Sequence, residues 1–330
     1  MKIWVLFFVC FSMSLTSAAF AKNWTEQSDL QREAIELFWP RNFEKLNEKA
    51  KEYVDNQSRL ASGGWKLEAF YWGIYNTFGS PPASDEVWGR VFNICDEWIK
   101  KYPDAPSGYI AKANFLFKLA LRERGDGFVG EVSKDQWAAF DLYSKQARDL
   151  LQDNKEVASR DPKWYALMVS ISRSRGDRGG VWDTFEESIS RYPTYHPIYN
   201  AVVLSTLSKW GGGGRAHLES FANEELERTR DKVGFATYTR IYWSASALEY
   251  QGQLFKETDV DWSKMRKGFE DIVKKYPDEW NINNFAYFAC FAKDRETTQS
   301  LMAQIQEPIE EAWPKMAHYA YCRSFAEGKY

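Results

Sequence analysis

Histidine and cysteine are scarce in this chain, three and four among 330 residues. His196, His217 and His318 stand far apart and do not join Cys95, Cys290 or Cys322 at any common zinc-ligand spacing, so no metal site is expected. Walker and dinucleotide glycine loops, nucleophile elbows and His-Glu-x-x-His helices are absent. With no catalytic motif and no cofactor signature, the chain reads as a non-enzyme. Basic residues do not exceed acidic ones: 43 Lys and Arg face 46 Asp and Glu, for a net charge of −3. No basic stripe stands out, which argues against a nucleic-acid partner. Alternating β-branched runs joined by tight turns are nearly missing, which argues against a sheet. After the N-terminus no apolar run is long enough to span a bilayer.

The N-terminus itself has the form of a secretory signal. Met1-Lys2 gives a positive start, Ile3 to Leu15 is apolar, and Ala19-Phe20-Ala21 is a small-x-small cleavage site. The expected product is a mature chain over 22–330, exported to a periplasmic or extracellular compartment. Such a compartment favours disulfides, and Cys290 and Cys322 fall on neighbouring predicted helices. A bond between them and three buried free thiols both fit the sequence. Asn23-Trp24-Thr25 and Asn56-Gln57-Ser58 fit the glycosylation pattern, which matters only in a eukaryotic secretory route.

Aromatic residues are abundant: 15 Trp, 18 Tyr and 22 Phe make 17% of the chain. Large rings filling the space between stacked helices explain them, and so does an aromatic-lined groove. The stretch Cys95-Asp96-Glu97-Trp98-Ile99-Lys100-Lys101-Tyr102-Pro103 returns as Phe185 to Pro193 and again as Phe269 to Pro277. The tyrosines are 90 and 84 residues apart, which suits two helical hairpins of about 42–45 residues per interval. Met265, Phe269, Ile272, Val273 and Tyr276 form one apolar helix face. Proline after each tyrosine stops the helix. Arg124-Gly125-Asp126 and Arg175-Gly176-Asp177 follow apolar helices, so each glycine suits the left-handed residue beyond a helix end. An integrin-ligand reading of this triplet is the weaker one. Ser28 with Gln31 and Ser133 with Gln136 have the form of capping boxes, and Ser84 of an N-cap. These marks predict helix pairs over 28–59, 65–102, 106–153, 162–191, 196–229, 233–275 and 279–325. The expected fold is all-α, one α-α superhelix of about seven tetratricopeptide-like hairpins with a curved inner surface.

Two places stand out as candidate binding sites. Trp210-Gly211-Gly212-Gly213-Gly214-Arg215 carries four successive glycines, a large ordering penalty. Backbone N–H groups of Gly212 and Gly213, with Arg215 and Trp210, would form an anion nest, while a turn needing positive φ explains the same run. Arg240 sits among Tyr238, Ile241, Tyr242 and Trp243. It suits a carboxylate or phosphate, and equally a structural ion pair with Glu249 or Asp261. Plentiful Asp and Glu read as solvated helix faces.

Several further pieces carry a family resemblance. They include Trp65-Lys66-Leu67-Glu68-Ala69-Phe70-Tyr71, Asp161-Pro162-Lys163-Trp164-Tyr165 and Tyr195-His196-Pro197-Ile198-Tyr199. The most distinctive are Trp210-Gly211-Gly212 and Tyr238-Thr239-Arg240-Ile241-Tyr242-Trp243. Over 65–294 the chain resembles a bacterial tetratricopeptide-like family catalogued as a domain of unknown function. That resemblance implies a helical-repeat fold and names no activity. Val181 and Met265 stand where a strict tetratricopeptide repeat has a small residue, so peptide-clamp residues of that class do not carry over. The expected role is binding or scaffolding of a protein or peptide partner on the inner face. The rival role is an α/α glycan-binding or glycan-hydrolysing protein with an aromatic groove and two facing carboxylates. A third reading is self-assembly.

Overall fold

A computed structural model describes residues 23–78 and 83–329, so the leader predicted over 1–21 lies outside the described residues. Among the described residues seventeen α-helices follow in chain order. The first four are α1 (Asn23–Phe38), α2 (Phe43–Asp55), α3 (Lys66–Tyr75) and α4 (Asp85–Lys101); α1 packs chiefly on α3, and α4 on the helix after it, so the pair predicted over 65–102 is not a packed hairpin. Next come α5 (Pro106–Arg124) and α6 (Lys134–Asp153), the short α7 (Lys155–Ala158), then α8 (Lys163–Ser174) and α9 (Arg178–Arg191). They continue with α10 (His196–Thr206), α11 (Arg215–Val233), α12 (Ala236–Ala245), the short α13 (Leu254–Glu257) and α14 (Trp262–Lys275). The chain ends with α15 (Glu279–Phe291), α16 (Arg295–Met302) and α17 (Met316–Ala326). The architecture is all-helical, and helices pack mainly on sequence neighbours. Among the described residues the only β pairing is an isolated bridge between Arg59 and Trp65, and no helix is long and apolar enough to cross a membrane.

Local sequence explains the helix ends. Ser133 and Gln136 form the reciprocal box, with the Gln136 N–H donating to Ser133 Oγ at 3.2 Å and the Ser133 N–H to Gln136 Oε1 at 2.9 Å. Ser84 caps α4 by accepting from the Val87 N–H. Ser28 does not cap a helix: α1 already begins at Asn23, so Ser28 lies within its second turn. Gly125 and Gly176 have φ of 73° and 74°, the left-handed conformation expected past α5 and α8. Asp177 then caps α9 through the Gly180 N–H, so the second Arg-Gly-Asp triplet is a helix-to-helix turn.

The repeated Tyr-Pro mark is a repeated shape. Tyr102, Tyr192 and Tyr276 end α4, α9 and α14 with φ of −133° each, and each N–H donates to the carbonyl four residues back. In the first two copies a tyrosine of the next helix closes the turn: Tyr109 donates to the Pro103 carbonyl at 2.9 Å and Tyr199 to the Pro193 carbonyl at 2.8 Å. In the third copy Asn281 donates instead to the Tyr276 carbonyl and to Ser62 O, 219 residues away.

Aromatic rings fill the space between helices. Trp98, Trp164, Tyr71, Tyr165, Phe115 and Phe185 are among the largest fully buried side chains. Phe269 stacks on Phe285 with centroids 4.9 Å apart, and Trp243 leans on Phe269, Phe288 and Trp280. Burying such rings is worth about 1.5–3 kcal/mol each before packing terms. Cys290 and Cys322 are joined by a disulfide that ties α17 to α15, and Cys95 is free and buried.

Candidate functional site: an arginine-lined cavity between repeats

The site begins with the loop after α2. Gln57 and Gly63 take positive φ, and the Arg59–Trp65 bridge closes the loop on itself. Leu60 N–H donates to Gly64 O at 2.8 Å and Lys66 N–H to Ser58 O at 3.0 Å. This closed loop reaches across the fold. Trp65 Nε1 and Arg59 Nη2 both donate to Thr194 O at 3.2 Å, at the turn between α9 and α10. Gly63 lies flat against the Tyr276 ring, where an added Cβ would stand 2.6 Å from Cδ2, too close for any other residue. Three segments far apart in sequence therefore meet at one place.

Between them lies a cavity of about 250 Å³, lined by the loop, the second and third Tyr-Pro turns, and α12. Helix α12 is held tightly to α14. Gly268 leaves no room for a side chain beneath Thr239 and Phe235, and Thr239 Oγ1 donates to Met265 O at 2.8 Å. The Phe235 N–H donates to Asp271 at 2.8 Å. With Tyr238, Ile241 and Tyr242 buried in the core, the spacing of the helix turns Thr237 and Arg240 toward the cavity.

Arg59, Arg240 and His196 are the charged and titratable groups of the inner wall; Lys232 and Lys275 are exposed at its edge, and Asp271 is the acid. Arg59 is held by neutral partners. Its guanidinium lies 3.8 Å from the Trp65 ring centroid and donates to Gln57 O at 3.1 Å, to Thr194 O and, at 3.5 Å, to Gly63 O. Its Nη1 is 3.4 Å from His196 Nδ1. A guanidinium has no acceptor, so His196 Nδ1 accepts and the ring proton sits on Nε2. Burial, with Arg240 and Arg59 nearby, holds the His196 pKa well below the ordinary value. His196 is thus a neutral donor.

Arg240 has protein on all sides and keeps part of its surface open to the cavity. Among the described residues it has no hydrogen-bond or ion-pair partner. Burial draws its pKa down to about 10, and Tyr276 opposes this. Arg59 is drawn down to about 10 by burial and by Arg240. Neither acid offered by the sequence reaches Arg240: Asp261 caps α14, and Glu249 accepts from Ser208.

The other sequence candidates lie elsewhere. Gly211 and Gly214 have positive φ, and any side chain on Gly212 would collide with the Thr206 backbone, so the glycine run is accounted for by a turn pressed on α10. The Gly213 N–H points at His217 Nδ1, 3.4 Å away, and Arg215 is held by both oxygens of Asp259. Trp210 is 46% exposed with Arg173 and Lys209 beside its ring, and Trp243 belongs to the aromatic core. Of the six proposed binding residues only Arg240 lines the cavity. Arg59 and His196 fall at the end of the predicted pair 28–59 and the start of the pair 196–229, and neither sits in a binding motif that would single it out.

Carboxylates do not face one another across this cavity. Asp161 accepts from Tyr71 Oη at 2.7 Å and from the Lys163 N–H at 2.8 Å, and Glu68 is held by Lys163 Nζ and Tyr195. Among the described residues no group of three His, Cys, Asp or Glu side chains could hold a metal ion. Comparison with protein-family models, with curated proteins and with solved structures finds no match for this chain.

Proposed function

We propose that this is an exported helical-repeat binding protein that engages a protein or peptide partner, with the Arg240 cavity as the anchor point. The observation that carries the reading is Arg240: a part-buried guanidinium, open to a cavity, without a hydrogen-bond or ion-pair partner among the described residues. Holding a part-buried charge without a partner costs stability, and an anion from outside would offset that cost. The tetratricopeptide-like resemblance and the recurring Tyr-Pro turns support a superhelix of hairpins, a shape that presents extended inner surfaces to partners. The Cys290–Cys322 bond supports export to an oxidising compartment. The glycan alternative has less support, because Glu68 and Asp161 are engaged by tyrosine and lysine rather than presented in the cavity.

A cross-linking pull-down from the producing cells, read by mass spectrometry, tests this. A discrete protein partner should be recovered with the wild type and with Trp210→Ala, and lost with Arg240→Ala. Equal recovery by all three would refute the anchor, and a co-purifying sugar without a protein would favour the glycan reading.

A further inference from the structure

The donors in the cavity say which anion it takes. Arg59 supplies field but little grip, since Nε, Nη1 and Nη2 already serve Gln57 O, Gly63 O, His196 Nδ1 and Thr194 O. Arg240 keeps its whole planar edge of N–H groups. His196 adds one neutral N–H at Nε2. Deeper in, the Thr194 and Gly63 carbonyls and the Asp271 carboxylate accept, while the ammonium donors of Lys232 and Lys275 stand at the exposed edge.

A planar ligand with two oxygens matches such a donor set, through two parallel N–H···O bonds to one guanidinium. A tetrahedral phosphate asks for donors on three sides and brings a charge of about −1.5 to −2 toward Asp271. The cavity also exceeds what a bare carboxylate fills, and its remaining wall is apolar: Val233, Ala236, Ile272 and the rings of Tyr199 and Tyr276.

Resting on the anchor reading above, we infer that the cavity takes a carboxylate carried on a short apolar body, bound edge-on by Arg240 with His196 Nε2–H as a third donor. A peptide C-terminus with an apolar last residue supplies this chemistry, and so does a free aliphatic acid.

Calorimetry on the purified protein separates the sources and tests the inference. The probes are acetyl-Ala-Leu with a free C-terminus, the same peptide as its amide, 4-methylpentanoate and inorganic phosphate, each up to tens of millimolar. The acid peptide should bind, and the amide should bind at least tenfold more weakly. Arg240→Gln should weaken the acid peptide at least tenfold, and His196→Asn by a smaller factor. The acid–amide contrast uses wild type alone, so it stands even where a variant fails to fold. Binding of 4-methylpentanoate as tight as the peptide would keep the carboxylate site, assign it to a small acid and sink the peptide reading of function. Equal binding of acid and amide, or binding of phosphate with both carboxylates silent, would overturn the carboxylate inference and leave the anchor reading standing. Silence from every probe would also overturn the inference, and the pull-down then decides the anchor by itself.

Discussion

A ligand-free Arg240 should make the protein less stable than it could be, and the size of that penalty follows from its surroundings. The guanidinium is part-buried near the Arg59 cation without an ion-pair partner, and burial draws its pKa down to about 10. For a base held below its ordinary pKa, the penalty is in full force at every pH below about 10 and is relieved only above that. At 1.36 kcal/mol per pKa unit, the penalty is about 3 kcal/mol as an upper limit. Arg240→Met keeps most of the side-chain volume and removes the charge, so it should stabilise the protein by about 1–3 kcal/mol at pH 7. For a chain of this length that is a rise in Tm of about 2–4 °C. Calorimetric melts and urea midpoints on wild type and variant measure it directly. A drop of several degrees would show that Arg240 has a structural partner, and the reasoning behind the site would fail. Gain of stability with loss of binding is the expected mark of a functional charge.

Four further outcomes follow from the fold and the site. Burial pushes the Asp161 carboxyl up to about 7, so its contribution is present at acid pH and is lost as pH rises from about 4 to about 7. Asp161→Asn should flatten that part of the pH profile, seen as urea midpoints at pH 5 and pH 8 that differ less than in wild type. His196, held well below the ordinary imidazole value, acts with the opposite sign: its contribution is lost as pH falls below that value, and His196→Asn should remove this acid-side decline. Removing the Cys290–Cys322 bond, which closes a loop with a sequence separation of 32, should lower stability by about 3–4 kcal/mol, read by denaturant unfolding of the double alanine variant. Gly212→Ala should destabilise by several kcal/mol as the Thr206 backbone is pushed away, while Gly89→Ala, on α4 with open space around it, should stabilise by about 1 kcal/mol; thermal melts distinguish the two.

Much of the helical plan was legible because its signals are local. Apolar periodicity, the Tyr-Pro stops and the Ser133-Gln136 box place helix ends within a few residues, and the left-handed Gly125 and Gly176 stand where their neighbours predict. Ser28 misleads because the same capping pattern also occurs inside helices, and nothing nearby tells α1 to start later. At the site, Arg240 was legible as a cation in a run of rings. Arg59 and His196 were not, since their meeting depends on a loop that folds back over turns more than a hundred residues later. The Trp210–Gly214 run drew attention for its glycines, yet close approach to Thr206 accounts for them. A local pattern announces that a residue is unusual; whether it serves packing or a ligand is set by which distant segments arrive beside it.

The central claim is that a partner docks at the mouth of the Arg240 cavity, and site-specific photo-cross-linking tests it most directly. Benzoylphenylalanine would replace Lys232, at the cavity edge, or Phe128, which is 69% exposed on a loop outside it. Irradiation of producing cells should yield a discrete adduct from position 232 that disappears when Arg240→Gln is added, and none from position 128. An adduct from position 128 alone, or one from 232 indifferent to Arg240→Gln, would contradict the account.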